Sequence, residues 1–511
     1  MTSYLLRRLL ASVLILLGAS FIVYMLIAFS GDPLQELRVS NRPNREQLMQ
    51  ARIDLLNLDV PPVLRYFVWL GGAAKCVVPF AQCDLGSSIQ GQPVTAALQS
   101  AIPSTLQLVT GAAVLAITIG IAVGIVTALR QYSALDYSVT FIAFLFFSLP
   151  VFWVAVLLKE FGAIGFNDFL ADPRLSTQTI VIGALASGVI WTVILSGSWL
   201  RRAITFVSAT VVSAGIMYYL SASDWFAYPG IGPVVLVVLG AGIAIGVTAI
   251  VAGLQNRPAL YASLSMVVLG VLVMTVGAPL LNSMNIWLLI LYGAIAVGCG
   301  LLAGHLFGGY DPGQSRKAAA LTAFIVAILV ALDRFMQAWP EYFNNTRVRG
   351  RPISTIGATT PNLVGDFWVH GIDKYGHLVL PTFALLLISL ASYTRYSRSS
   401  MLEVMEQDYV RTARAKGLSE RVVVVRHAFR NALIPLATIV AFDIGGLIGG
   451  AVITENVFSI KGMGTLFITG IKNVDPNPVM GVFVVVGITA VTFNLLADLA
   501  YSALDPRVRV H

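Results

Sequence analysis

Charged side chains are the scarcest material in this sequence: they make up 11% of its 511 residues, where a soluble domain carries about 25%. That deficit excludes a water-soluble globular protein, because a folded surface of this size could not be clothed in polar groups. Cysteine is nearly absent, and three residues are too few for a disulfide framework. Cys76 and Cys83 share one polar loop, CVVPFAQC, and are either bridged on an oxidising side of a membrane or left as two free thiols. Cys299 sits inside an apolar run as a small packing residue. No GxxxxGK[ST] loop is present, so the chain is not expected to hydrolyse ATP itself, and no HExxH or metal-spaced Cys/His set appears. His305, His370, His377, His427 and His511 are scattered. Alternating strands of about 10 residues, the mark of a membrane barrel, are also missing.

What the sequence has in abundance is apolar length. Hydrophobic residues make up 57% of the chain and the mean hydropathy is +0.81. Run after run reaches the roughly 20 residues that a spanning helix needs, which implies an all-α polytopic membrane protein. Lys and Arg number 33 against 25 Asp and Glu. Much of the resulting excess of +8 lies in short breaks between apolar runs, where it fixes orientation, so we assign it to topology and not to nucleic acid.

The first run follows Arg7-Arg8 and reaches Ile27, longer than the core of a cleaved signal peptide. It is read as an uncleaved first helix, residues 1–29, with its basic end inside. A polar loop or lobe, 30–103, follows outside. Further spans are expected near 104–129, 138–162, 178–199, 203–221, 232–254, 259–281, 285–308, 317–333, 377–394, 433–457 and 479–503, twelve in all. Inner breaks then hold Arg130, Arg201-Arg202, Arg257, Arg316-Lys317, the 395–430 segment, and Arg507 and Arg509. The short outer breaks 222–231 and 282–285 hold no Lys or Arg. An odd count would spoil this alternation, so both termini are placed in the cytoplasm. One stretch runs against it: 334–375, expected outside, carries Arg334, Arg347, Arg349, Arg351 and Lys374. Loops of that length constrain orientation less than short ones.

The segment 395–430 carries eight Lys or Arg against four acids. Up to Lys416 its residues favour helix. Gly417, free to take positive φ, ends that helix, and Ser419 is a suitable N-cap for a second short one. The result is a compact knob beneath the membrane. Small residues at Thr412, Ala413 and Ala415 would let a partner's groove close around its face. A basic loop of this kind also serves simply as a surface facing lipid headgroups.

Arg411-Thr-Ala-Arg-Ala-Lys-Gly417 resembles the cytoplasmic EAA loop of ABC importer permeases, in the form used by the dipeptide and oligopeptide systems. Other pieces are similar to that group in the same order. They are Gly31-Asp32-Pro33, Asp84-Leu-Gly-Ser-Ser88, Gly91-Gln-Pro93-Val94, Ser148-Leu-Pro150-Val-Phe-Trp153 and His377-Leu-Val-Leu-Pro381. Thr454-Glu455 through Gly462-Met-Gly464 and the ending Asp498 to Arg509 complete the set. The resemblance covers roughly 1–170 and 350–511. It implies a type I importer permease core of about six helices in a bacterial cytoplasmic membrane. It also implies a second homologous permease, two ATPase subunits that bind ATP and Mg, and an external peptide-binding protein. Carried over by residue, ATPase coupling falls on Arg411, Thr412, Ala413, Arg414, Lys416 and Gly417. The sequence departs from the family in having Arg411 for the eponymous Glu, Thr412 for the first Ala, and Arg430 where many relatives have Pro.

The middle departs further. Residues 175–345 read as an insertion of about six helices, between core helices in 104–174 and a loop 346–376 that leads into the core segment 377–511. Six is even, so the coupling loop stays cytoplasmic. The insertion is expected to be an accessory packing or lipid-facing bundle in preference to a second transport path.

Ionisable groups inside spans are functional candidates by default. Asp443 lies beside Gly445 and Gly449, and beside Gly446 and Gly450, two small-xxx-small registers. It either pairs with a partner helix at a permease interface or lines the peptide path. Glu455 is placed at an outer gate, Asp498 as a structural residue of the last span, and Pro150 and Pro381 as kinks shaping a cavity. A twelve-helix secondary transporter would show repeat symmetry and midplane coupling residues, and no half-to-half repeat is visible. A membrane-embedded glycosyltransferase would want an acidic cluster, and Asp32, Glu36 and Asp84 are dispersed.

Overall fold

The computed structural model describes residues 2–41, 43–76, 82–195, 197–309 and 312–504. The end of the C-terminal motif, including Asp505, Arg507 and Arg509, lies outside them. Among the described residues, 11 helices are long and apolar enough to cross a membrane, and a bent pair brings the number to 12. In chain order these begin with α1 (Thr2–Ala28). The outer segment holds α2 (Arg45–Leu56) and α3 (Pro62–Ala74). Then come α4 (Val94–Leu129), α5 (Ala134–Ser148) and α6 (Val151–Phe169, with a π-helical turn at Leu158–Ile164). The middle of the chain is α7 (Thr177–Leu195), α8 (Trp199–Ala222), α9 (Gly232–Val251), α10 (Arg257–Thr275), α11 (Ile286–Phe307) and α12 (Gly313–Phe343). The last part is α13 (Phe367–Met405), α14 (Asp408–Ala415), α15 (Phe429–Val457), α16 (Met463–Lys472) and α17 (Pro476–Leu504).

The centre of the molecule is the α4–α13 pair. Leu108, Ala112, Ala116, Gly120 and Gly124 recur every four residues along α4 and form one smooth stripe. A Cβ on Gly120 would lie 2.7 Å from the Cβ of Tyr393, and one on Gly124 2.6 Å from that of Ser397. The two backbones approach as closely as they do because those side chains are missing, the means by which helices associate where lipid offers no hydrophobic drive. Helices α15, α16 and α17 pack around this pair, and α1 packs on α17.

Three expected boundaries are corrected. Helix α4 begins at Val94, not near 104, and carries Pro103 inside it. Helix α12 runs on to Phe343 and α13 starts at Phe367, so the outer loop between them is 344–366, shorter than 334–375. Arg334 and Lys374 are therefore helical residues, and the anomalous cation count of that loop shrinks. Hydropathy missed these turns because a 31-residue helix is about 46 Å long and overshoots a hydrocarbon core of about 30 Å. The third span is not one helix: α5 and α6 meet at 102°. Pro150 caps α6 at this break, where it removes a donor and holds Leu149 extended, while Pro381 lies within an uninterrupted α13. The pair still reaches from one end of α13 to the other. Asp136 of α5 meets Arg398 towards the C-terminal end of α13, and Asn167 of α6 bonds Ile353, in the loop before α13, through both its amide oxygen and its amide nitrogen.

In the middle of the chain, α9, α10, α11 and α12 form a bundle whose α12 packs on α13. The α7–α8 hairpin rests on α5, and no residue of α8 is buried.

Candidate functional site

The knob expected at 395–430 grows out of two core helices. Helix α13 ends at Met405, Gln407 turns the chain in extended conformation, and α14 follows. Gly417 has φ +75°, a conformation that costs a side-chain-bearing residue about 1–2 kcal/mol. The chain then enters a three-residue helix (Glu420–Val422) and a π-helical turn (Val423–Ala428) that feeds α15. Ser419 occupies the N-cap position, but its hydroxyl makes no capping bond. Arg414 closes the bend instead, donating to Glu420 from Nη2 at 2.7 Å and from Nε at 3.2 Å. The bond to Arg414 holds the Glu420 carboxyl below its usual range. Both groups are well exposed, so solvent limits the pair to about 1 kcal/mol.

The two faces of the knob differ. Val410, Ala413, Val423, Ala428 and Ala432 are buried in one cluster with Met401 and with Ala128 of α4. Arg411, Thr412, Arg414, Ala415, Lys416 and Gly417 are exposed. The expectation that a partner's groove closes on Ala413 is therefore corrected: Ala413 faces its own chain, and the open surface is basic. The knob is also tied to the rest of the core. Arg398 grips Asp136 with two parallel bonds, Nε to Oδ1 at 2.6 Å and Nη2 to Oδ2 at 2.9 Å. Tyr132 N donates to the same carboxylate. Sequence reasoning missed this pair; a carboxylate three residues after a serine cap and an arginine far along the chain leave no local pattern.

Within the membrane, Asp443 finds its partner in this chain: Tyr393 donates to it at 2.7 Å. A Cβ on Gly446 would meet nothing within 4 Å, so that side of α15 is uncovered here. The side-chain surroundings of Gly445, Gly449 and Gly450 lie outside the described residues. Glu455 is fully buried. It accepts from Thr105 Oγ1 at 2.6 Å, Gly464 N at 2.7 Å and Thr465 N at 3.2 Å. It thus caps two of the free amides at the N-terminus of α16 and ties α4, α15 and α16 together. A Cβ on Gly464 would lie 2.3 Å from Val452 Cα; the Gly462-Met-Gly464 spacing lets this turn close on the carboxylate. The arrangement is a staple among three helices, not an open gate. Asp498 pairs with Arg8 at 2.7 Å.

Lys159, absent from the sequence-based candidates, donates from its π-helical turn to Val457 O, the end of α15, at 3.1 Å. The adjacent charges Lys159-Glu160 in an apolar span were the signal for it. Cys76 and Cys83 are bonded (S–S 1.97 Å), while 77–81 between them are not among the described residues. The segment that begins at Asp84 docks on the break between α16 and α17: Ile89 N donates to Asp475 at 2.7 Å and Asn477 Nδ2 to Ser87 O at 2.8 Å.

Over residues 323–510 the chain matches the family described as binding-protein-dependent transport system inner membrane component. It is 40% identical over 190 residues to the oligopeptide transport system permease protein OppB of Mycobacterium tuberculosis (strain ATCC 25618 / H37Rv), covering 37% of this chain and 55% of that protein. With the dipeptide transport system permease protein DppB of Escherichia coli (strain K12) it shares 34% over 227 residues, 42% of this chain and 66% of that one. With the oligopeptide transport system permease protein AppB of Bacillus subtilis (strain 168) it shares 43% over 136 residues, 27% and 43% of the two chains. The chain thus spans between 43% and 66% of the length of these relatives.

Proposed function

We propose that this chain, which over 323–510 matches the binding-protein-dependent inner membrane components and is similar to peptide permeases, is a member of that family and the membrane subunit of an ATP-driven importer of dipeptides or oligopeptides. The observation that carries the reading is the two-sidedness of the knob. Its apolar face is locked beneath α4, α13 and α15, and its basic face is left to solvent. A handle so built passes a push from a partner directly into the core helices, the rigid two-state element that such coupling requires. The relatives are transport permeases by name, and this chain's own role is to shape the path and respond. ATP and Mg would be bound by two separate ATPase subunits docked at Arg411, Thr412, Arg414 and Lys416, with Gly417 setting the bend. The uncovered Gly446 side of α15 suits a second permease, and the disulfide-closed outer segment suits an external peptide-binding protein.

The test is assembly and transport together. Wild-type chain should co-purify with ATPase subunits and support peptide uptake into membrane vesicles. Gly417→Pro, which cannot adopt φ +75°, should reach the membrane yet lose both. Uptake by the chain alone, with no ATPase present, would refute the proposal, as would labelling of residues 395–430 from the outer side.

A further inference from the structure

A cavity of about 1460 Å³ opens between the middle bundle and α13, larger than the roughly 300–1,000 Å³ of sites for small molecules. Its depth follows from which parts of each helix line it. Helix α10 contributes from Met266 outward, α11 from its outer end to Cys299, and α12 from Ala323 to Trp339. On α13 the lining runs from Trp368 to Val379. The cavity therefore occupies the outer half of the membrane-spanning layer and stops near its middle.

Its walls are nearly all hydrocarbon and aromatic. A peptide placed there would strip water from its amides without replacing the bonds, at about 1–3 kcal/mol for each group, so this space does not suit a peptide path. The polar atoms gather at the outer rim. Trp225 Nε1 donates to Gly230 O at 3.0 Å and Trp368 Nε1 to Leu281 O at 2.8 Å, but Trp339 Nε1 is buried with no acceptor. Arg334 binds Asn282 and Gln337 through its terminal nitrogens, while its Nε has no partner. Lys374, beside the lining residue Tyr375, is exposed. Two cations, Arg334 and the exposed Lys374, above an apolar well and inside a belt of tryptophans, match one molecule of the surroundings.

We propose that this cavity is a built-in site for one diacyl phospholipid of the outer leaflet. The acyl chains fill the wedge between the bundle and α13, and the phosphate faces Arg334 and Lys374. The lipid then belongs to the joint that fastens the bundle to the core helices. This inference does not rest on the peptide-importer reading.

The test is native mass spectrometry of the delipidated full chain in detergent, titrated with palmitoyl-oleoyl phosphatidylglycerol or phosphatidylethanolamine. Wild type should hold one phospholipid far more firmly than the rest. A Cβ on the lining residue Gly293 meets nothing within 4 Å, so Gly293→Phe fills the cavity without forcing the backbone and should cut occupancy of that lipid about tenfold. Gly242→Phe, equally open but on α9 away from the cavity, should leave it unchanged, and Ala327→Leu is a second filling variant should Gly293→Phe fail to fold. Arg334→Gln should reduce any preference for the anionic lipid severalfold. A wild-type chain with no such lipid, filling variants that hold it as wild type does, or its displacement by an apolar peptide would overturn the proposal.

Discussion

Thr412 and Ala413 are neighbours in one turn of α14, yet they sit in opposite environments, and that contrast allows a separation of folding from coupling. Ala413 is 5% exposed, against Val410 and Val423 at 0%. Ala413→Leu adds three carbons to a space with no room for them, and overpacking of this kind costs about 1–3 kcal/mol. Thr412→Leu on the open face gives up only the bond from Thr412 Oγ1 to Asp408 O at 2.8 Å and gains some helix propensity, leaving a net change within about 0.5 kcal/mol. The cost at Ala413 is local, so the suitable assay is amide hydrogen exchange over 408–430. A loss of 1–3 kcal/mol speeds exchange there by roughly 5- to 160-fold. Ala413→Leu should show that acceleration, with uptake falling as the knob loosens. Thr412→Leu should exchange as wild type does and still lose ATPase-driven uptake, because the docking face itself has changed. The opposite pattern, normal protection in Ala413→Leu with loosened exchange in Thr412→Leu, would mean that α14 presents its other face, and the two-sided handle would have to be abandoned.

Three further outcomes are expected. Burial pushes the Asp475 carboxyl up to about 6 from 3.8, against the opposing pull of the Ile89 and Asn477 amides and Arg52. With the folded value above the unfolded one, the contribution of this site is full below about pH 3.8 and is lost as pH rises through about 6, a swing of up to about 3 kcal/mol. Docking of the 85–93 segment should thus protect it from protease better at pH 5 than at pH 7, and Asp475→Asn should flatten that difference; equal protection of wild type at both values would contradict it. Asp136→Asn should cost about 2–3 kcal/mol, below the range for fully buried pairs because the Arg398 side chain is 28% exposed. The melting temperature in detergent should drop and be partly restored by adding Arg398→Gln. Gly417→Ala should cost about 1–2 kcal/mol in the protection of α14 without abolishing uptake, since a Cβ there meets open space; a null effect would show that the bend relaxes freely.

How much of this was legible beforehand depends on whether a feature is local. The helical class, most of the 11 helices long and apolar enough to cross a membrane and the glycine bend at 417 follow from apolar length and residue type, each of which is written along a short stretch of chain. The ends of α12 and α13 were misplaced because their last and first turns, 334–343 and 367–376, mix charged with aromatic residues, and a hydropathy window stops at the first charges. The break at Pro150 was read as a kink, since a proline in a span announces a disturbance but not its angle.

Pairing was the harder matter. Four-residue spacing of small side chains marks a smooth helix face, and it occurs on α4 at Gly120 and Gly124 as well as on α15 at Gly446 and Gly450. On α4 that face is filled by Tyr393 and Ser397 of α13, whereas Gly446 meets nothing. Spacing alone says that a backbone may approach; only the fold says whether this chain supplies it. The same holds for the carboxylates. Glu455 was singled out as costly in an apolar span, but its partner Thr105 lies 350 residues away, and that distance turns an apparent gate residue into a staple. An ionisable group in a membrane helix thus reports an obligation to find donors, and whether it serves transport or architecture depends on who meets that obligation. For Glu455 and Asp443 this chain does so itself; for the basic face of the knob the described residues offer only Asp408 and Glu420, which is why the search for a partner belongs there.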